Sequence, residues 1–508
     1  MKAEKLYQAI GDINDTYLAE SDELAVGKSS LLHKTSVRKN LRKQIIAAAA
    51  CLALLIGGIS VWRFSARKPQ NEYAVAELPE AETSTTTEET TAQEMEPAYS
   101  GKAAMLVRAV LPDTVHTAVT ETAEEMSVAD QESAAAKSMD LTEAFTAPSV
   151  AEELAPVDGK NHIWSPLNLT MALAMLSECT DGETRGQIVK AMSDNASLED
   201  IRQAADGLLE FAYYDNTDGT SLPANSIWLR DEGKQYNEDT LNLLARQYSA
   251  SSFAGDMGSD AYNTMLKGWL NEQTHDLLAN EVDDLSLDSE TWIALASTIY
   301  YHADWLTAFE EYQVREEIFH APSGDRSVPM LHTEFPGQYF RGDHFGAVSL
   351  TLKDGNLFWL LLPDEGFTVQ DVLKDEKTQR VLRMDPDLGE PEQMEIYLQF
   401  PKFDIASEMD LVQILPTMGI TDVLDPGIAN FSPLSLQDTN AALTRMEHAA
   451  RISVDEWGIT AAAYTVERME GATESTGGHL DFICDRPFVF AITDTNRITF
   501  FEGVVNEP

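Results

Sequence analysis

Cysteine is nearly absent from this chain, and that scarcity limits how the fold can be held together. The 508 residues include only three cysteines, Cys51, Cys179 and Cys484. Cys51 lies in an apolar run, so at most one disulfide is available and a disulfide-dense scaffold is excluded. Hydrophobic residues make up 44% of the chain, which is enough for a core. We therefore expect a fold that depends on its core, with Cys179 and Cys484 as buried thiols.

Positive charge is also scarce. The chain has 36 Lys and Arg against 84 Asp and Glu, a formal net charge of -48. Residues 1–68 carry 11 Lys and Arg and 6 Asp and Glu, a surplus of +5, so the rest of the chain carries -53. A body this acidic is repelled by nucleic acid and by anionic lipid. We therefore expect no nucleic-acid partner and no activation by heparin-like polyanions.

Signatures of cofactor chemistry are missing as well. The sequence has no H-E-x-x-H zinc motif, no phosphate-binding loop and no nucleotide-binding glycine fingerprint. It also lacks the G-x-S-x-G elbow, which argues against a hydrolase triad built from Ser165 and His448. We expect no metal, no cofactor and no enzymatic activity.

One long apolar run interrupts the polar N-terminal region. Residues 45–62 contain no charged side chain, and a helix of that length spans about 27 Å, close to the hydrocarbon thickness of a bilayer. Basic residues flank both ends, so the positive-inside rule only weakly favours a cytoplasmic N-terminus. We predict a cytoplasmic segment at 1–43, a single transmembrane helix at 44–63 and an extracellular domain beyond it. A cleaved signal peptide is the alternative.

The chain after the apolar run divides by composition. Residues 64–101 are rich in Thr and Glu, which predicts an acidic linker that cannot bury enough surface to fold. Residues 102–508 form the predicted domain. Helix-like segments at 170–179 and 197–212 mix there with strand-like segments at 291–301, 346–352, 357–362 and 395–400. That mixture predicts an α+β fold.

A series of segments between residue 161 and residue 508 resembles the serpin family. The segments are NHIWSPLNLTMALAMLSECTDGETRGQI (161–188), NSIWLRD (225–231), WIALASTIYYHADWLTAF (292–309), VPMLH (328–332), LLLPDEG (360–366), FPKFDI (400–405), LPTMGITDVLD (415–425) and DRPFVFAITDTNRITFFEGVVNEP (485–508). Each is a weak pattern alone, but their order and spacing are specific together.

The resemblance implies a fold of three β-sheets and eight to nine helices, with an exposed reactive loop near the C-terminus. It implies that this loop is bait for a serine protease, which forms an acyl-enzyme with it. The cleaved loop then inserts into the central sheet as a new strand and traps the protease. We expect a monomeric, membrane-anchored member of the family from a bacterium.

The resemblance assigns a hinge where insertion begins. Its residues are Glu456, Gly458, Ile459, Thr460, Ala461, Ala462 and Ala463. Glycine supplies a flexible pivot, alanines are small enough to pass between strands, and no proline follows before Pro487. Glu467 departs from this pattern. It alternates with Ile459 onto the face that the resemblance places in the core, where an unpaired carboxylate is costly.

The resemblance also assigns a shutter, where the central sheet parts, and a breach, where the loop first inserts. The shutter residues are Ser165, Asn168, Ser297 and His448, and Trp305 lies at the breach. Asn168 stands where the family usually has a serine, and Ser297 where it usually has an asparagine. Both replacements keep hydrogen-bonding capacity but change its geometry. Ordinary core roles for His448 and Trp305 are the plainer interpretation.

Counted from Gly458 with the family's usual loop length, the resemblance places the attacked bond between Ala472 and Thr473. The loop is about four residues longer than is usual in the family, so the bond could lie as late as residue 476. Small residues in this stretch favour an elastase-like protease. Glu470 or Glu474 would instead favour a glutamyl-specific protease, and Arg468 a trypsin-like one.

Two other functions stay open at this stage. A non-inhibitory serpin would use the fold as a surface binding module, which Glu467 favours and the small hinge residues disfavour. A membrane-anchored sensor would signal through residues 1–43, and an intracellular partner for that segment would support it.

Overall fold

The computed structural model describes residues 104–112 and 148–508, except residues 195, 232–234, 280–281, 283–284, 438–440 and 460–477. Within these ranges no helix is both long and apolar enough to cross a membrane. The predicted cytoplasmic segment, transmembrane helix and linker, residues 1–101, lie outside the described residues.

The described residues form eight α-helices. They are α1 (Pro148–Leu154), α2 (Pro166–Cys179), α3 (Gly182–Met192), α4 (Leu198–Ala212), α5 (Glu238–Gln247), α6 (Asp260–Gln273), α7 (Val369–Lys374) and α8 (Lys377–Leu382). Short 3₁₀ turns lie at Glu311–Gln313, Pro386–Leu388, Leu411–Gln413 and Asp422–Leu424. The expected helix number is thereby confirmed at its lower value.

Seventeen strands accompany these helices in the described part of the chain. They are β1 (Ala104–Val107), β2 (His162–Trp164), β3 (Tyr214–Asp215), β4 (Gly219–Arg230), β5 (Ala250–Gly255), β6 (Ile293–Asp304), β7 (Val314–Ala321), β8 (Gly324–Arg341), β9 (Phe345–Thr351), β10 (Leu357–Pro363), β11 (Glu392–Pro401), β12 (Phe403–Asp410), β13 (Leu443–Val454), β14 (Gly458–Ile459), β15 (His479–Ile483), β16 (Phe488–Thr493) and β17 (Thr499–Val505).

The first sheet has the strand order β1-β5-β4-β6-β14-β13-β12, with β3 paired beside β4. Most neighbours are antiparallel, but β4 and β5 are parallel, and so are β6 and β13. Parallel strands need long connections, and nearly 140 residues separate the end of β6 from the start of β13. The sheet is therefore assembled from distant parts of the chain.

The second sheet has the order β15-β11-β8-β9-β10-β16-β17-β2, with β7 on β8. The resemblance implies three sheets, and the hydrogen bonding joins two of them into one. The cause is the length of β8, whose 18 residues pair with β7 and β11 over most of the strand. Only its last two residues, Phe340 and Arg341, pair with β9.

The helix α2 lies in the core between the two sheets. It contacts β6 and β4 of the first sheet and β17 of the second, and all 14 of its residues are buried. A helix that is apolar on all sides is buried on all sides. Its start is fixed by the Ser165 side chain, which accepts a hydrogen bond from the Asn168 N–H, and by a proline in the first turn. This helix therefore supports the middle of the first sheet.

Candidate functional site

The two central strands of the first sheet, β6 and β13, pair directly over only part of their length. Their parallel ladder ends at the pair formed by Ser297 and His448. At the C-terminal ends of β6 and β13, β14 lies between these two strands and pairs antiparallel with both. The sheet is thus already one strand wider at the breach and still closed at the shutter.

Gly458 is held so close to β6 that no larger residue fits. A Cβ atom built on it would lie 2.4 Å from the carbonyl oxygen of Ala303 and 2.6 Å from the Cα of Asp304. Glycine permits this approach of two backbones. The next side chain, Ile459, is fully buried in the core. The first inward residue of the predicted hinge is therefore already inserted.

The turn before β14 is organised by Asp455. Its carboxylate accepts hydrogen bonds from the N–H groups of Trp457 at 2.8 Å and Gly458 at 3.2 Å, which is the bonding of an Asx turn. Its own N–H donates to the carbonyl of Gly458 at 3.0 Å. The neighbouring Glu456 forms an ion pair with Lys402. These contacts fix the base of the hinge before the chain reaches β14.

Trp305 lies directly below this turn. Its indole Nε1 donates to the carbonyl of Asp455 at 2.8 Å, and its backbone N–H donates to the carbonyl of Trp457 at 3.0 Å. The ring is 1% exposed and makes edge contacts with Phe309, Phe358 and Phe400. The predicted breach tryptophan therefore links the hinge to the aromatic core by two hydrogen bonds.

The shutter histidine faces the start of α2. The ring Nε2 of His448 accepts a hydrogen bond from the backbone N–H of Ser165 at 3.0 Å. The Ser165 hydroxyl accepts from the Asn168 N–H at 3.2 Å. His448 Nδ1 and both side-chain polar atoms of Asn168 are buried and have no hydrogen-bond partner among the described residues. The three residues meet, but their bonding is incomplete.

Ser297 completes this group from β6. It lies opposite His448 in the ladder, and its hydroxyl donates to Asn225 Oδ1 on β4 at 2.8 Å. Asn225 is 1% exposed and donates from Nδ2 to the carbonyl of Tyr248 at 2.9 Å. Ser297 stands where the family usually has a strand asparagine, and Asn225 on the neighbouring strand β4 supplies an asparagine side chain at this place.

The chain is similar to known proteins over most of its length. The family model for serpin (serine protease inhibitor) matches residues 140–508. The chain belongs to the serpin family. The mouse plasma serine protease inhibitor is 26% identical over 359 residues, which cover 69% of this chain and 85% of that protein. A serpin-like protein of Methanosarcina acetivorans is 24% identical over 362 residues, with 69% and 82% covered.

Solved serpin structures share the fold. The native thermophilic serpin tengpin superimposes with a TM-score of 0.65 at 24% identity and covers 80% of this chain and all of its own. A thyroxine-binding globulin in complex with thyroxine gives a TM-score of 0.62 at 21% identity, with 73% and 99% covered. At this identity the likeness shows the serpin fold alone.

The serpin shutter is not arranged as a hydrolase site. The Ser165 group that contacts the imidazole of His448 is its backbone N–H, while its hydroxyl is occupied at the start of α2. No described acid orients the other ring nitrogen, which lacks a hydrogen-bond partner among the described residues. A nucleophile, a base and an orienting acid are all required for that chemistry. The hydrolase interpretation is therefore wrong for these two residues.

Two neighbouring titratable groups on β13 respond to burial in opposite ways. Burial lowers the pKa of His448 to about 3, because the charged imidazolium is disfavoured in the core. Burial raises the pKa of Glu447 to about 7, although Arg445 beside it partly opposes the shift. The Oε2 atom of Glu447 has no hydrogen-bond partner among the described residues. Glu447 is not among the residues that the resemblance assigns to the shutter.

The remaining predicted site residues lie outside the described residues. They are Thr460, Ala461, Ala462 and Ala463 of the hinge, the departing Glu467, and Ala472 and Thr473 of the attacked bond. The described chain resumes at Gly478, directly before β15. Across the described ranges, no group of three His, Cys, Asp or Glu side chains is placed to hold a metal ion.

Proposed function

We propose that this serpin is an inhibitory one, which traps a serine protease as an acyl-enzyme by inserting its cleaved loop between β6 and β13. The family it belongs to is one of serine protease inhibitors. The protein supplies no catalytic group of its own in this process, because the target protease performs the bond cleavage. No cofactor is required.

The main support is the position of β14 in the cleft between the two strands. Ile459 lies opposite Ala303 of β6 and Val454 of β13. If the chain continued in this register, Ala461 would face Tyr301 and Thr465 would arrive between Ser297 and His448. The inserted strand would then replace the direct pairing at the shutter. Small residues at these positions suit that path.

Glu467 favours the non-inhibitory alternative. In the same register it would lie opposite Leu295, which is 1% exposed and faces the core beneath the sheet. An unpaired carboxylate there must be neutralised or solvated, and either requirement slows the last part of insertion. One structural neighbour is a thyroxine-binding globulin, so the fold also occurs in a protein whose stated role is binding. We place this alternative second because the hinge residues suit insertion.

The proposed target is an elastase-like protease that attacks after Ala472. The test mixes the full-length chain in detergent with an elastase and then boils the mixture for a denaturing gel. We expect a covalent band, and a released C-terminal fragment that begins at Thr473 by mass spectrometry. A fragment that begins at Met469 would indicate a trypsin-like target. Complete cleavage without a covalent band would overturn inhibition and support the binding module.

The location is a further part of the proposal. We place residues 44–63 in a bacterial cell membrane, with residues 1–43 in the cytoplasm and the serpin domain outside as a monomer. The uncharged run at 45–62 and the acidic Thr/Glu linker after it support this topology. A signalling role for residues 1–43 would add to inhibition without replacing it.

A further inference from the structure

A buried tyrosine, a buried glutamate and a partly exposed arginine form a polar group beside the shutter. The Tyr248 hydroxyl donates to Glu178 Oε1 at 2.9 Å. The guanidinium of Arg202 on α4 holds the same carboxylate through two nitrogens, at 2.5 Å and 2.7 Å. Glu178 is 5% exposed and Tyr248 is fully buried. A carboxylate on an otherwise apolar core helix is expensive unless it is paired in this way.

Tyr248 belongs to the half of the sheet that carries β6. Its carbonyl accepts the hydrogen bond from Asn225 on β4, and Asn225 accepts the one from Ser297 on β6. Ala250, two residues after Tyr248, begins β5 and pairs with Asn225. The backbone of Tyr248 is therefore fixed to β5, β4 and β6 as one unit.

Glu178 belongs to the other half. It lies on α2, whose first residues are tied to β13 by the bond between Ser165 and His448. The adjoining strand β2 is tied to β12, because the Ile163 N–H donates to the Ser407 hydroxyl at 2.9 Å. The hydrogen bond between Tyr248 and Glu178 therefore joins the two halves of the molecule that must part at the shutter.

We infer that the Tyr248–Glu178 hydrogen bond holds the first sheet in its narrow form, and that it breaks when a strand inserts at the shutter. Neighbouring strands are about 4.8 Å apart, so one added strand moves β6 away from β13 by about that distance. A hydrogen bond of 2.9 Å does not survive a displacement of this size. The two residues position the halves of the sheet and take no part in protease chemistry. This inference rests on the proposed inhibitory function.

The Tyr248–Glu178 hydrogen bond can break without leaving the Glu178 carboxylate unpaired. Burial and the adjacent Glu178 raise the pKa of the Tyr248 phenol, so the hydroxyl keeps its proton and remains a donor. Arg202 remains bonded to both oxygens of the Glu178 carboxylate. This bond is the main cause of the raised pKa of the Arg202 guanidinium. When the phenol moves away, Glu178 therefore still has a cationic partner.

The test replaces Tyr248 with phenylalanine in the full-length chain in detergent. A matched control is Tyr262→Phe. Tyr262 is equally buried, but among the described residues its hydroxyl bonds only to the N–H and carbonyl of Leu229 on β4, within the half that carries β6. Thermal midpoints are measured for the intact chain and for the chain cleaved within residues 460–477. Inhibitor molecules consumed per trapped protease are counted for both variants.

We expect Tyr248→Phe to lower the midpoint of the intact form by about 2–4 °C, the effect of one hydrogen bond to a charged group in a domain of this size. The cleaved form should be unchanged, and fewer inhibitor molecules should be consumed because insertion meets less resistance. Tyr262→Phe should lower both midpoints. Equal losses in both forms of Tyr248→Phe would overturn the inference. An unmodified chain whose midpoint does not rise on cleavage would instead overturn the proposed function.

Discussion

Two adjacent buried residues on β13, Glu447 and His448, have pKa values shifted in opposite directions, so both make the stability of the shutter depend on pH. His448 is neutral in the folded protein because burial disfavours its charge. Glu447 holds a proton up to about neutral pH for the same reason. Arg445 contacts Glu447 and lies 3.6 Å from Asp410 on β12, so it is shared between two acids. The shutter therefore contains polar groups whose cost depends on pH.

The two groups should contribute opposite slopes to stability. The pKa of His448 is about 3 when folded against an ordinary 6.5, so its contribution is lost as pH falls from about 6.5 to about 3. The pKa of Glu447 is about 7 against 4.5, so its contribution is lost as pH rises from about 4.5 to about 7. Relative to the unmodified chain, Glu447→Gln should gain stability as pH rises from about 4.5 to about 7. His448→Gln should lose stability relative to the unmodified chain as pH rises from about 3 to about 6.5. Urea midpoints at several pH values measure this, and parallel curves would show that neither residue is responsible.

Ile459 offers a test of the hinge at a single position. Ile459→Arg places a charge at a fully buried site, so the variant must leave β14 or bury an unpaired guanidinium. Insertion should then be slower than hydrolysis of the acyl-enzyme. We expect the protease to cleave the loop while the covalent complex disappears from the gel. Trp457→Arg is the control, because that side chain is 44% exposed. Equal amounts of complex from Ile459→Arg and the unmodified chain would contradict the hinge assignment.

At the scale of elements, the strand β14 has only two residues, but it sets the path of insertion into the first sheet. The two residues of β14 lie between β6 and β13 at the breach. Gly458 permits the close approach of the β14 backbone to β6. The preceding turn is fixed to Trp305 and Phe309 by backbone hydrogen bonds. The direction and register of any further insertion therefore follow from a strand that is already present.

Glu467→Ala tests that register at its far end. If insertion continues from β14, residue 467 comes to lie beside Leu295 and Met446, both of which are 1% exposed. Removing the carboxylate removes its desolvation cost, so the loop should insert faster. We expect fewer inhibitor molecules to be cleaved for each protease trapped. Glu470→Ala serves as the control, because alternation places residue 470 on the opposite face. An identical count for Glu467→Ala and the unmodified chain would show that position 467 is not buried in the complex.

At the scale of the whole molecule, local sequence patterns predict the strands, but they do not predict contacts between residues that are far apart in the sequence. The strand-like segments at 291–301, 346–352, 357–362 and 395–400 lie almost entirely in β6, β9, β10 and β11, because side-chain alternation and apolar runs are written locally. Asn225 is 72 residues from Ser297, and no local pattern links them. Glu178 is a charged side chain on a core helix, and only the fold brings its partners Arg202 and Tyr248 to it. The continuity of the second sheet likewise depends on how far β8 extends.

The topology of the full chain is tested by its accessibility from outside the cell. If residues 44–63 span the membrane, protease added to intact cells should release the acidic serpin domain by cutting the linker at 64–101, which has too few apolar residues to fold. The membrane fraction should keep a short fragment that contains residues 1–63. A tag at residue 1 should stay protected until the cells are lysed. Protection of the serpin domain in intact cells would place it inside, and recovery of the untreated chain in the medium would favour a cleaved signal peptide.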